Sequence, residues 1–118
     1  MSGDADPTAG DRGAIVRVWH GWIDPEDADA YEAYLTDPED GLLETLSGEG
    51  YRGYDLLRRD AGEEVEFVTQ LRFADYDAVA AFAGENYEEA HVPAAARELL
   101  SRWEDDATHY ESRASQRR

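Results

Sequence analysis

Residues 14–23 (AIVRVWHGWI) carry apolar side chains at both odd and even positions. This density of β-branched and aromatic residues predicts a strand, whose side chains alternate between the two faces of a sheet. The two faces are Val16, Val18 and Trp22 on one side, and Ile15, Trp19 and Ile23 on the other. A half-solvated strand would be apolar at alternate positions only, so this strand needs cover on both faces.

A helix signal follows directly. Residues 24–27 (DPED) supply an N-cap, a proline for the first helical position and acids for the first turn. Apolar residues at 31–35 recur with helical spacing. Residues 37–40 (DPED) repeat the start signal, so we expect the helix to break there and resume through 42–46. The glycines of 47–50 (SGEG) are expected to end it.

The second half of the chain predicts a hairpin, two helices and a final strand. Residues 51–59 (YRGYDLLRR) and 64–73 (EVEFVTQLRF) are predicted to pair around the turn at 60–62. Asp75 is predicted to cap a helix that ends at Gly84. We interpret the remainder as a loop, a short helix and a last strand, at 85–92, 93–100 and 103–111 respectively.

The order β-α-β-β-α-β is typical of a ferredoxin-like α+β domain. Right-handed crossovers would place the helices on one face of a four-stranded antiparallel sheet. The other face would stay open while still carrying Trp, Tyr and Leu side chains. Because monomers rarely tolerate a large exposed apolar patch, we predict a homodimer in which two open sheet faces meet as a barrel-like core.

Charge and composition narrow the function classes. Asp and Glu number 28 against 11 arginines and no lysine, for a formal net charge of −17. Such a field repels phosphate backbones and anionic membranes, so nucleic-acid and membrane partners are not expected. An acidic chain with arginine in place of lysine is typical of salt-loving microbes, so we expect a halophilic protein that partly unfolds at low salt.

The chain divides into one domain and two tails. We expect a disordered acidic tail over 1–13, a single domain over 14–111 and a flexible tail over 112–118. The absence of cysteine excludes disulfides and thiolate sites. No signal peptide or membrane-spanning run is apparent, so a cytoplasmic location is expected.

Five stretches of the chain have a recognisable pattern: VRVWHGW at 16–22, GYRGYDLLRR at 50–59, EVEFVTQLRF at 64–73, DYDAVAAFAG at 75–84 and NYEEAHVP at 86–93. Together they resemble the antibiotic biosynthesis monooxygenase (ABM) superfamily of dimeric α+β barrels. The resemblance covers about 14–111. It implies one of three kinds of protein: a cofactor-independent oxygenase acting on aromatic phenols, a haem-degrading enzyme, or a small-molecule protein of other function. The haem-degrading pattern is not matched, and we expect no cofactor.

His20, flanked by Trp22, is the first candidate catalytic residue. An imidazole beside an apolar pocket can deprotonate a phenol at neutral pH. The resulting phenolate can donate an electron to dioxygen without a metal. The alternative is that His20 only hydrogen-bonds a structural neighbour.

Further candidates lie in the loop at 85–92 and on the last strand. The resemblance suggests that Asn86 hydrogen-bonds a substrate carbonyl or a peroxide, with Tyr87 and His91 as substrate-binding residues. The alternative is that Asn86 only stabilises the loop and His91 faces solvent. Trp22, Tyr54 and His109 complete the predicted substrate site. The three histidines lack the spacing of metal ligands, so no metal site is expected.

These observations leave two functions open. One is a cofactor-independent monooxygenase acting on an aromatic or quinone-like molecule, with His20 and Asn86 as catalytic residues. The other is a non-catalytic homodimer of the same fold that binds a hydrophobic or aromatic small molecule or senses stress. A cavity touching His20 would favour the enzyme.

Overall fold

A computed structural model describes residues 13–116. Of the acidic tail predicted over 1–13, all but Gly13 lies outside the described residues, as do 117–118. The elements in chain order are β1 (Ile15–Ile23), a 3-10 turn (Pro25–Asp27), α1 (Ala28–Thr36), β2 (Tyr51–Asp60), β3 (Val65–Phe73), α2 (Tyr76–Ala83), α3 (Ala94–Leu99), β4 (Leu100–Trp103) and β5 (Thr108–Glu111).

The sheet has five strands in the order β2-β3-β1-β4, with β5 also paired to β1. Each pairing is antiparallel. The helices cover one face, so the predicted ferredoxin-like α+β class is confirmed. The count differs from the four strands expected, because the last strand is divided into β4 and β5.

The division of the last strand has a local cause. Residues 105–107 leave β1 and pair with the loop that precedes α3. Ala90 N–H donates to the Asp105 carbonyl at 2.8 Å, and Ala107 N–H donates to the Glu88 carbonyl at 2.7 Å. The backbone groups of both segments are therefore satisfied by each other instead of by the sheet. This contact anchors the loop beside β1.

The predicted resumption of the first helix at 42–46 is wrong, because these residues form turns. Leu42 N–H donates to the Tyr34 carbonyl at 3.0 Å, and Leu43 N–H donates to the Leu35 carbonyl at 2.9 Å. The turns thus fold back and satisfy carbonyls that the end of α1 leaves without helical partners. The leucine spacing that suggested a helix instead directs these side chains towards the interior.

Two predicted helix starts have the expected caps. The Asp24 side chain accepts a hydrogen bond from Glu26 N–H before the turn that leads into α1. The Asp75 side chain accepts one from Ala78 N–H at the start of α2. Between these helices and the sheet lies the hydrophobic core, whose most buried large side chains are Phe67, Phe73, Ile23 and Val79.

The opposite face of the sheet is open in a single chain. Its apolar members include Val16, Val18, Trp22 and Val68, and its most exposed ones are Leu57 and Tyr110, at 47% and 58% exposure. Ion pairs flank this apolar strip, among them Arg72 with Asp55 at 2.5 Å. Among residues 13–116, no helix is both long and apolar enough to cross a membrane.

Candidate functional site

A cavity of about 380 Å³ lies between the helix-covered face of the sheet and the segments that cover it. This size is within the range of small-molecule sites in proteins. Its walls comprise Arg17, Trp19, Tyr31, Leu35, Leu42, Leu43, Leu46, Thr69, Leu71, Phe82, Ala83, Ala90, His91, Val92, Pro93 and Ala96. Most of these side chains are apolar, so the cavity suits a hydrophobic or aromatic molecule.

Arg17 is the buried cation of this cavity, with 7% of the residue exposed. It projects from β1 on the helix-covered face, opposite Leu71 of β3. Its Nη1 donates to the Tyr87 carbonyl, and its Nη2 donates to the Glu89 carbonyl at 3.3 Å. These bonds connect the sheet to the loop before α3. Burial lowers the pKa of Arg17, yet a guanidinium keeps its proton in proteins.

His109 is the third hydrogen-bond partner of Arg17. It lies directly opposite Arg17 on β5, and Arg17 Nη1 donates to its Nε2 at 3.0 Å. Because a guanidinium can only donate, Nε2 must be the unprotonated nitrogen of a neutral ring. Burial first, and the charge of Arg17 second, lower the pKa of His109, while Glu88 opposes them. The Tyr87 ring contacts the imidazole edge to face, with centroids 5.2 Å apart.

Four polar side chains line the cavity. Tyr31 has its pKa raised by burial, so its hydroxyl remains a donor at neutral pH. Thr69 and the exposed His91 are further polar wall residues, together with Arg17. The Trp19 indole donates to the Glu104 carbonyl at 2.7 Å, which orients its ring as a wall. A bound ring would thus meet apolar surface and a few hydrogen-bonding groups.

His20 lies on the open face of the sheet, away from the cavity. Its Nδ1 donates to Glu66 Oε2 at 2.7 Å, and its ring stacks on Trp22 with centroids 6.0 Å apart. Glu66 also accepts from Arg59 at 2.8 Å. The hydrogen bond from His20, followed by that from Arg59, lowers the pKa of Glu66. Trp22 carries the Arg102 guanidinium over its ring at 3.9 Å.

The remaining predicted residues are dispersed. Asn86 is exposed in the loop, in a separate hollow formed by residues 85–89. Tyr87 shares that hollow, and its carbonyl accepts a hydrogen bond from Arg17. Tyr54 lies on β2, where its hydroxyl donates to Glu44, and this hydrogen bond raises the pKa of Tyr54 to about 12. Of the predicted site residues, the structure brings Tyr87 and His109 together around Arg17.

Sequence reasoning missed Arg17 itself. It shares the parity of Ile15, Trp19 and Ile23, so the alternation of β1 places it on their face of the sheet, which the helices cover in the structure. An arginine on the apolar face of a central strand is rarely buried without a specific reason. The sequence therefore contained a signal that Arg17 has a special role. It contained no signal for the hydrogen-bond partners of Arg17, because they come from residues about seventy and ninety positions further along the chain.

Comparison with known proteins gives a likeness of fold. No protein-family model matches the chain, and no curated protein matches it significantly. A conserved protein of Methanosarcina mazei Go1 matches with a TM-score of 0.61 and 17% identity, over 89% of this chain and 98% of that one. A candidate antibiotic biosynthesis monooxygenase of Bacillus cereus matches with a TM-score of 0.58 and 15% identity, over the same shares. The chain therefore has the ferredoxin-like fold of these two proteins.

Proposed function

We propose that this chain binds a small aromatic, phenol- or quinone-like molecule in the cavity beneath its helices. The observation that carries the proposal is the cavity itself, about 380 Å³ in volume and walled by Trp19, Phe82 and aliphatic side chains. Cavities of this size and character hold small ligands in many proteins, because apolar walls supply affinity and a few polar groups supply orientation. The fold likeness to a candidate monooxygenase agrees with such a ligand.

The reaction we propose is cofactor-independent oxygenation of the bound phenol. A base removes the phenolic proton, the phenolate transfers one electron to dioxygen, and the two radicals combine to form a C–O bond. Loss of water then leaves a quinone, so phenol and O₂ become quinone and H₂O. His91 lines the cavity whereas His20 lies on the other face, so we assign the base to His91.

Binding without catalysis is the second candidate. His91 is exposed, and no hydrogen bond to its imidazole is present among residues 13–116. A catalytic base is usually oriented by a partner. The unoriented ring therefore favours a protein that binds the aromatic molecule and does not transform it.

We also propose that two chains associate through their open sheet faces. Leu57 on β2 and Tyr110 on β5 are exposed at 47% and 58%. Val16, Val18 and Val68 lie between them, on β1 and β3. Covering this strip would remove apolar area from water. The active form of the protein would then be a homodimer with one cavity in each subunit.

The binding experiment uses a cavity-filling variant with a control on the same helix. Ala83 lines the cavity, whereas Ala81 is exposed. Calorimetric titration with 2-naphthol is expected to show binding to the wild-type chain and to Ala81→Phe. Ala83→Phe is expected to lose at least about tenfold in affinity, because the new ring occupies the site. Equal binding by all three proteins would place the ligand elsewhere.

A second pair of variants tests the reaction. Oxygen uptake with a dihydroxynaphthalene is measured for the wild-type chain, His91→Gln and His20→Gln. Loss of a catalytic base is expected to reduce turnover about hundredfold or more, so His91→Gln should be slow and His20→Gln normal. Unchanged turnover in His91→Gln removes this residue from the mechanism. Binding without any oxygen uptake would favour the non-catalytic function.

A further inference from the structure

Arg17 differs from five other arginines of this chain in how its charge is balanced. Each of the five lies within 4.0 Å of an Asp or Glu side chain: Arg58, Arg59, Arg72, Arg102 and Arg113. Among residues 13–116, no carboxylate lies within that distance of Arg17, although Arg17 is more than nine-tenths buried. A buried charge without a counter-charge is costly. Its retention at a cavity wall therefore suggests that something else supplies the negative charge.

The groups that hold Arg17 are neutral and leave it with spare donors. A guanidinium has five N–H donors. Nη1 donates to the Tyr87 carbonyl and to His109 Nε2, and Nη2 donates to the Glu89 carbonyl. Within the described part of the chain, Nε makes no hydrogen bond. One N–H on Nε and one on Nη2 therefore remain for a further acceptor, and Arg17 lines the cavity.

Two adjacent N–H donors with a positive charge match the two oxygens of a carboxylate. We infer that the natural ligand of the cavity is an aromatic carboxylic acid, whose carboxylate pairs with Arg17 while its ring packs against Trp19 and Phe82. This inference rests on the proposed function and narrows it from aromatic molecules in general to aromatic anions.

The net negative charge of the protein is compatible with an anionic ligand at the high salt concentration that the acidic composition suggests. A charge of −17 repels anions at a distance, but at molar salt the Debye length is about 3 Å. The long-range repulsion is then screened, whereas a contact between Arg17 and a buried carboxylate is screened far less. The ligand experiments are therefore performed in molar potassium chloride.

A competing interpretation is that Arg17 only fastens the loop at 87–89 to the sheet. Loop anchoring and ligand recognition make different predictions, because anchoring does not depend on the charge of the ligand. The discriminating measurement is therefore the preference between two ligands of the same ring and almost the same size, of which one is an anion and the other is neutral.

The full-length chain is titrated calorimetrically with 2-naphthoate, 2-naphthamide and 2-naphthol. Because hydrogen bonds to a charged group are stronger, the affinity for naphthoate is expected to exceed that for naphthamide by about tenfold to hundredfold. If the amide binds as tightly as the acid, the inference is overturned while the proposed function stands. If naphthol alone binds well, the cavity selects a hydroxyl, and the inference again fails. If none of the three binds, the proposed function itself fails.

The matched variants are Arg17→Met and Arg113→Met. Both lose one positive charge, but the Arg113 side chain is 80% exposed on the C-terminal segment. Arg17→Met is expected to abolish the preference for naphthoate, and Arg113→Met to keep it. A folded Arg17→Met protein that still prefers the acid overturns the inference. If circular dichroism shows that Arg17→Met does not fold, the preference of the wild-type chain for naphthoate over naphthamide decides the question. Arg17→Lys keeps the charge but loses the paired donors, so it is expected to weaken that preference.

Discussion

Arg17 and His20 stand three positions apart on β1 and project from opposite faces of the sheet. Arg17 reaches His109 and the cavity, whereas His20 reaches Glu66 on the open face. The polar groups around Arg17 and those around His20 therefore form two separate clusters on opposite sides of the sheet, although the two residues are close together in the sequence. One cluster lies beside the cavity, and the other lies on the open face.

The neutral state of His109 predicts a pH dependence of stability. Its pKa in the folded chain lies below the ordinary value of 6.5, so the unfolded chain binds the proton more readily. Stability is therefore expected to be fully present above about pH 6.5 and to fall as the pH drops through the lower, folded pKa. His109→Gln keeps an acceptor for Arg17 and does not titrate, so urea unfolding of this variant should depend less on pH in that window.

The control for this measurement is His91→Gln. His91 is exposed and has no hydrogen-bond partner among the described residues, so His91→Gln removes a histidine without removing a contact. Identical profiles for the wild-type chain and His109→Gln would contradict the assigned contact between Arg17 and a neutral imidazole.

The open face predicts that a single acidic substitution separates the subunits. Tyr110 lies on this face opposite Val16, and Tyr76 begins α2 on the helix-covered side. The two are similarly exposed, at 58% and 45%. Tyr110→Glu would place an unpaired carboxylate in the interface and is expected to raise the dimer Kd by roughly a hundredfold or more. Tyr76→Glu should remain dimeric.

Sedimentation in molar salt measures this pair of variants. The wild-type chain is expected to sediment at twice its 13.2 kDa mass, and Tyr110→Glu mainly as the single chain. A wild-type chain that sediments as a monomer would refute association through the open face, and so would a Tyr110→Glu variant that remains as dimeric as Tyr76→Glu.

The fold could be predicted from the sequence because local signals agree with the tertiary arrangement. The three long strands follow from alternation and β-branched residues, and the helix starts follow from Asp24 and Asp75, whose side chains cap as expected. The prediction failed at 42–46, where leucines at helical spacing pack inwards from turns. It also failed at 105–107, where the backbone pairs with a distant loop. In both segments, tertiary hydrogen bonds replace the local ones.

The candidate site was less predictable, for two different reasons. His20 shares the parity of Val16, Val18 and Trp22, so the alternation that identified β1 places His20 on the face opposite Arg17 and Trp19, and the structure leaves that face open. That information was available in the sequence. By contrast, the environment of Arg17 depends on carbonyl groups of the loop at 87–89. No local pattern indicates where that loop closes on the sheet.

Replacing Gly50 by alanine is expected to carry a steric cost that the same replacement at Gly62 does not. Both have a positive φ, +82° and +89°, but a Cβ at Gly50 would lie 2.6 Å from Ala78 Cβ on α2, whereas at Gly62 it would meet nothing within 4 Å. Alanine at either position carries the left-handed backbone cost of about 1 kcal/mol. Gly50→Ala should lose about 1–3 kcal/mol more in the free energy of unfolding, because α2 must move. Equal losses in urea titrations would contradict the close packing of Gly50 against α2.

The charge of the chain predicts that its stability depends on salt. With a net charge of −17 and a radius of gyration of 15.5 Å, the acids repel one another across the whole molecule at 0.01 M salt, where the Debye length is about 30 Å. At molar salt this length falls to about 3 Å, so the free energy of unfolding in urea should rise steadily with potassium chloride. Replacing the exposed acids Glu49, Glu85 and Glu98 by Gln lowers the repulsion and should flatten that rise. A wild-type chain equally stable at both salt concentrations would mean that its ion pairs already offset the excess of acids.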